Sequence, residues 1–202
     1  MLGCNRPNVV IYRYDLHQNL VTTGNEKMRD ETINLGNRIL KVDHAGEHGA
    51  VSIYTAQILM ARFTAPSLVP ELLEFKSHEE KHRALFWAEL RRRGLRRCRS
   101  YWLCGIGGFF LGIVTGLLGV QAISATTAAV EHVVLGHLRE QLLGLAGIDE
   151  AAVAVISEIV AEEQQHHDQS RSRLVPGHMG ASLINFIVRI STESVIWIGM
   201  RA

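Results

Sequence analysis

From Thr32 onward the apolar residues return every three or four positions, the interval at which side chains share one face of an α-helix. Ile33, Ile39, Leu40, Val51, Tyr54, Ile58 and Leu59 mark a first helix, which Pro66 and Pro70 bring to an end. A second covers about residues 67–93, with Leu72, Phe75, His82, Leu85, Phe86 and Leu90 on one broad face, and Gly94 stops it. A third covers about 120–145. The fourth starts at Asp149, whose short carboxylate suits an N-cap, and continues to about 173, before Pro176 and Gly177. A fifth, about 181–200, closes the chain. No alternating run bounded by turn residues predicts a strand, so the expected class is all-α. Residues 1–31 carry neither this pattern nor a signal-peptide pattern. They read as a polar, partly extended arm ahead of one helical domain over 32–202.

Charge changes the picture through its placement. Lys and Arg number 21 against 20 Asp and Glu, a formal net charge of +1, which argues against a nucleic-acid partner. Yet Arg91, Arg92, Arg93, Arg96, Arg97 and Arg99 put six arginines into nine positions, and the 31 residues from Ser100 to Val130 hold no charge at all. A polybasic segment beside an apolar one suits an anionic membrane surface, so residues 94–120 are expected to form a membrane-contacting crossover. Gly108, Gly112 and Gly116 form a small-residue ladder that permits close helix approach. The six glycines of residues 100–120 weaken any single continuous helix there. A buried crossover between two helix pairs is the alternative. Cys4, Cys98 and Cys104 show no CxxC spacing, so neither a disulfide scaffold nor a zinc-thiolate site is expected.

Ten histidines are more than a plain helical domain needs. Two of them follow a glutamate by three residues, Glu79–His82 and Glu163–His166, a spacing that offers both groups to one point on a helix face. Glu47 precedes Glu79 by 32 residues, Glu131 precedes Glu163 by the same 32, and the two sets are offset by 84 at every position. That echo predicts an internal repeat of two helical hairpins. At ~1.5 Å per residue both members of each hairpin lie at one level. Stacking the hairpins brings four glutamates and two histidines together at mid-bundle. Ferritin-like di-iron and di-manganese bundles have this arrangement, joined by a long crossover between the second and third helices. Hard carboxylates with a minority of imidazole suit Fe or Mn. Six buried ionisable groups need cations for neutrality. His78-Glu79-Glu80-Lys81-His82 also matches the H-E-x-x-H helix of zinc proteases, but no third-ligand continuation follows and the 84-residue echo goes unexplained. Ligating imidazoles usually hand their other N–H to a carboxylate or carbonyl, which makes Asp43 and Asp168 candidate supports, with His44 and His137 as further pocket groups.

The strings Val42-Asp43-His44-Ala45-Gly46-Glu47-His48-Gly49-Ala50, Ala129-Val130-Glu131 and Glu162-Glu163-Gln164-Gln165-His166-His167-Asp168 resemble the demethoxyubiquinone hydroxylase family, ferritin-like di-iron monooxygenases of ubiquinone biosynthesis. The resemblance runs from about Ile33 to the C-terminus. It implies O₂-dependent hydroxylation of the ring of a demethoxyubiquinol at a centre of two Fe ions per chain. Metal ligands fall on Glu47, Glu79, His82, Glu131, Glu163 and His166, with Glu79 and Glu163 as bridges. The implied partners are a polyprenyl quinol, O₂, a membrane contacted peripherally at the cytoplasmic face of the cell's inner membrane, and an oligomer or a complex of ubiquinone-biosynthesis proteins. The family commonly has Tyr where this chain has His48, and His-His-Tyr where Gly136-His137-Leu138 stands. The rival readings are a di-iron oxidase or oxygenase acting on a different lipid, an iron-storage shell, and a non-catalytic membrane-associated helical protein.

Overall fold

The computed structural model describes residues 24–201, and the helical expectation holds across them. Six α-helices run in order: α1 Gly24–Thr64, α2 Val69–Arg92, α3 Tyr101–Leu117, α4 Val120–Leu145, α5 Glu150–Ser172 and α6 Met179–Gly199. α1 begins eight residues before the expected Thr32, because Glu26, Lys27, Met28 and Arg29 are good helix formers even without an apolar stripe. The rest of the expected arm, residues 1–23, lies outside the described residues. A turn of 3-10 helix at Pro66–Leu68 occupies the start of the expected second helix, and α2 proper follows with proline in its first turn. Asp149 caps α5 as expected, its carboxylate accepting from the Ala152 N–H at 3.1 Å.

α1 with α2 and α4 with α5 form two antiparallel hairpins, and α2 faces α5 across the bundle. Two apolar clusters fill it. Leu40, Phe86, Leu90, Leu138 and Ile156 pack at one end, while Tyr54, Phe75, Leu72 and Ile123 pack towards the other. Arg93 ties the first end together: both its terminal nitrogens lie 2.7 Å from the Asp149 carboxylate, its Nε donates to Glu89 Oε1 at 2.6 Å, and Nη1 reaches Asn37 Oδ1 at 3.0 Å.

The crossover is a continuous helix rather than the glycine-broken link expected. α3 lies lengthwise along α1, and α6 holds the corresponding place along α4. Each half of the chain is therefore a three-helix unit, so the C-terminal helix is the counterpart of the crossover and not an addition to the bundle. The glycines that argued against a helix are what seat it. Gly105, Gly108, Gly112 and Gly116 all face α1, where a methyl on Gly108 would overlap the Gly49 carbonyl and one on Gly112 the Ile53 carbonyl. Thr64 Oγ1 donates to the Gly116 carbonyl at 2.6 Å, and Gln57 Nε2 donates to Thr115 Oγ1 at 3.0 Å, locking the register. The opposite face of α3 is apolar and open, with Ile106 72% and Phe110 70% exposed. Leu183, Phe186 and Ile190 make a similar exposed face on α6. The uncharged run thus divides: its α4 part, Ala122 to Ala129, is core, and only its α3 part meets the surroundings.

Gly112→Ala is expected to destabilise the fold by about 1–3 kcal/mol through overpacking against α1. Gly107→Ala, where an added Cβ meets nothing within 4 Å, should stabilise by up to about 1 kcal/mol through helix propensity. Chemical denaturation of the two variants side by side checks the opposite signs.

Candidate metal centre

Between the two apolar clusters lies a charged layer. Glu47 from α1, Glu79 and His82 from α2, Glu131 from α4, and Glu163 and His166 from α5 are all buried there. Glu47, Glu79, His82 and Glu163 form one group of potential ligands, and Glu79, Glu131, Glu163 and His166 a second, each with its ligand atoms within 4.8 Å of one another. Glu79 and Glu163 belong to both groups. The contacts are reciprocal across the bundle. His82 Nδ1 on α2 is 2.9 Å from Glu163 Oε1 on α5, and His166 Nδ1 on α5 is 3.2 Å from Glu79 Oε1 on α2. The repeat read from the spacing is thus visible as a pseudo-twofold pair of half-sites.

The donor set fits a cation. Glu79 Oε1, both oxygens of Glu163, His82 Nδ1 and His166 Nδ1 are buried without a hydrogen bond, because the short imidazole–carboxylate approaches lie off the ring N–H direction. A buried polar atom left so costs about 1–3 kcal/mol, and a charged one more. Among the described residues, the only cationic partners within ion-pair distance of these four glutamates are His82 and His166. Six inward atoms of carboxylate and imidazole, with no lysine or arginine to neutralise them, are what a hard metal ion requires.

Electrostatics show the same strain. Burial, reinforced by the neighbouring carboxylates, pushes Glu47 and Glu131 well above the usual carboxylate range. Burial also opposes charge on His82 and His166, but Glu163 and Glu79 outweigh it and hold the two imidazoles up at about 10 and about 9. Glu163 is itself held low despite burial, by His166 and His82.

The supports of the imidazoles differ from those expected. His82 Nε2 meets Glu162 Oε2 at 2.7 Å, and Glu162 in turn accepts from Lys81 Nζ at 3.0 Å. His166 Nε2 meets His78 Nδ1 at 3.0 Å, so His78 backs the opposite histidine instead of joining His82 on one ion as a zinc-protease helix would. Asp168 points outward to His167 Nδ1 at 2.8 Å. Asp43 accepts from Gln141 Nε2 at 3.0 Å, on the wall of the cavity described below. His44 is stacked between Trp87 and Tyr101, and burial followed by the Arg97 charge lowers it to about 4. His137 pairs with Glu193 of α6 at 3.0 Å. Tyr54, read from the sequence only as core, donates to Glu131 Oε1 at 3.2 Å. Its spacing of seven from Glu47 places it on the same helix face, which is the signal that would have found it.

The layer opens on one side only through a cavity of about 360 Å³. All four glutamates contribute to its lining, and Leu103 and Leu111 of α3, Val134 and Leu138 of α4, and Val195 and Ile196 of α6 supply apolar wall. It lies where α1 and α4 approach each other least, in the trough that α3 and α6 flank.

Freed of metal, the protein is expected to lose stability as pH rises. The raised imidazoles and the raised Glu47 and Glu131 all stabilise at low pH, fully below their unfolded values, and that contribution is lost as pH climbs through about 9 to about 10 for the histidines. Metal loading should remove the slope and release protons, with affinity falling as pH is lowered. Denaturation of chelator-treated and metal-loaded protein between pH 7 and pH 10 checks this; parallel slopes would contradict it.

Comparison with known proteins agrees with the site. The family described as ubiquinone biosynthesis protein COQ7 matches residues 34–199. A mitochondrial NADPH-dependent 3-demethoxyubiquinone 3-hydroxylase of Dictyostelium discoideum is 32% identical over 87% of this chain and 80% of its own length. A 3-demethoxyubiquinol 3-hydroxylase of Rhodospirillum rubrum is 32% identical over 81% and 77%. The mouse mitochondrial NADPH-dependent 3-demethoxyubiquinone 3-hydroxylase is 31% identical over 81% and 76%. All six positions of the buried layer fall inside the matched region, and the chain belongs to the COQ7 family of ubiquinone-biosynthesis hydroxylases.

Proposed function

We propose that this chain hydroxylates the ring of a demethoxyubiquinol with O₂, at a pair of iron ions held by Glu47, Glu79, His82, Glu131, Glu163 and His166. One oxygen atom enters a ring C–H bond and the other leaves as water, with two electrons and two protons drawn from an external reductant. The observation that carries this reading is the largely apolar cavity leading to four buried glutamates that have no lysine or arginine partner. Iron, when bound, supplies the O₂ activation that carboxylate and imidazole side chains lack. The chain's own part is positional. Glu79 and Glu163, common to both groups, are the bridging ligands; Glu47 with His82 and Glu131 with His166 complete one half each. Glu162 and His78 fix the orientation of the two imidazoles, and Tyr54 steadies Glu131 by its hydrogen bond. The leucine, valine and isoleucine walls exclude bulk water and leave an apolar passage for a polyprenyl tail.

The tail has somewhere to go. The exposed apolar faces of α3 and α6 flank the cavity, and Arg96, Arg97 and Arg99, just before α3, have no carboxylate partner. α6 is long and apolar enough to cross a membrane, but it carries Arg189 and Glu193 and lies along α4. We therefore read the contact as interfacial, on the cytoplasmic face of the inner membrane, with the cavity facing the lipid.

Two experiments test these readings. Anaerobically purified protein should carry about two iron ions per chain, and Glu163→Ala should lose both, since its carboxylate is common to both groups. Fewer than about one iron, unchanged in the variant, would end the di-iron reading. Sedimentation with vesicles should show binding that needs anionic lipid and weakens with salt, and that drops when Arg96, Arg97 and Arg99 are all replaced by glutamine.

A further inference from the structure

The polar groups on the cavity wall are acceptors almost without exception. Ser191 Oγ already donates to the Ile187 carbonyl at 2.9 Å and Thr192 Oγ1 to the Val188 carbonyl at 2.9 Å, so both hydroxyls have only lone pairs left to offer. His137 Nε2 is engaged by Glu193 at 3.0 Å. The lining glutamates bring carboxylate oxygens. Asp43 stands one turn before Glu47 on α1, and its Oδ1 is held by Gln141. Its Oδ2 is buried with no hydrogen-bond partner, and so is Gln141 Oε1 beside it. Two orphaned acceptors therefore sit together at a wall that supplies them no donor.

Resting on the proposed quinol substrate, we infer that Asp43 accepts a hydrogen bond from a ring hydroxyl, and that the cavity thereby selects the hydroxyl-bearing quinol over its quinone. The two ring forms have nearly the same shape and differ in what their oxygens present. A quinol brings O–H donors; a quinone brings carbonyl oxygens, which would meet a wall of acceptors with nothing to bond. One helical turn, about 5.4 Å, separates Asp43 from Glu47, the scale of a six-membered ring, so a ring with one edge at the glutamates reaches Asp43 with the other. Gln141, from α4, fixes the carboxyl so that Oδ2 is the free oxygen. Leaving a buried polar group unpaired is the strongest form of discrimination such a wall can exert. Burial, eased by the Gln141 hydrogen bond, raises the Asp43 carboxyl to about 7. The other ionisable groups lining the cavity are the four glutamates, Cys104 and His137. An assay at pH 8 keeps Asp43 in its acceptor form.

The test is equilibrium binding to the full, iron-loaded chain under strict anaerobiosis, where no turnover occurs. The probes are a benzoquinol carrying one methoxy group, one methyl group and a short isoprenoid tail, and the corresponding quinone. Wild type should bind the quinol roughly tenfold or more tightly than the quinone. Asp43→Asn keeps the shape and adds an amide donor, and should bring the two affinities close to parity by weakening quinol and strengthening quinone. Gln141→Leu, which frees the carboxyl to turn, should lose part of the preference. Helical circular dichroism checks that both variants are folded. Equal binding of the two forms by wild type, or a preference surviving intact in Asp43→Asn, overturns the role of Asp43 while leaving a ring-binding cavity. Wild-type protein that binds neither form overturns the substrate and this inference together.

Discussion

Mutual repulsion among four carboxylates in a helical core is the constraint on which this architecture turns. Glu47, Glu79, Glu131 and Glu163 are buried at one level between two apolar clusters, and two histidines alone stand opposite them. Such a layer persists only if the helices presenting it are held rigidly from both ends. Arg93, joined to Asp149, Glu89 and Asn37, clamps one end, and Arg173, paired with Glu71, ties α2 to the close of α5. The apolar clusters supply the force that keeps the bundle shut, and the ion pairs at its ends fix its register. The charged layer is the local price of the chemistry between them.

Much of this layer was legible in the chain because helix geometry turns spacing into position. A glutamate, a second glutamate 32 residues on, a histidine three further, and the whole set repeated after 84 leave little freedom once the strands of the repeat are helices. What surrounds the layer was harder to read, since it depends on how each helix is rotated against its neighbours. Sequence adjacency favoured Asp168 as a support for His166, whereas Glu162, one residue before a ligand, reaches across to His82 on another helix. His78, His44 and Asp43 moved between roles for the same reason. No spacing rule on one helix reports a partner on the next.

Glycine misled in a more instructive way. Read singly, the glycines of residues 100–120 weaken a helix; read as a face, Gly105, Gly108, Gly112 and Gly116 form the stripe by which α3 lies against α1. The propensity cost is real, and close packing against a long partner helix exceeds it. The same packing reveals that the repeat extends beyond the hairpins, with α3 and α6 as equivalent flanking helices. A pattern of two hairpins plus an extra helix becomes two units of three.

The glycine stripe also decides what kind of molecule can arrive. With no side-chain volume on its inner face, α3 carries its bulk outward as Trp102, Leu103, Ile106, Phe109 and Phe110 at the side of the cavity. A visitor therefore crosses an oily threshold before it meets any group able to recognise it. Selection begins as partitioning: the local concentration at the mouth follows oil–water transfer free energy, at roughly 0.8 kcal/mol for each buried methylene. A long hydrocarbon tail is thus enriched by solubility, and the polar groups farther in need only distinguish among rings that have already passed that screen.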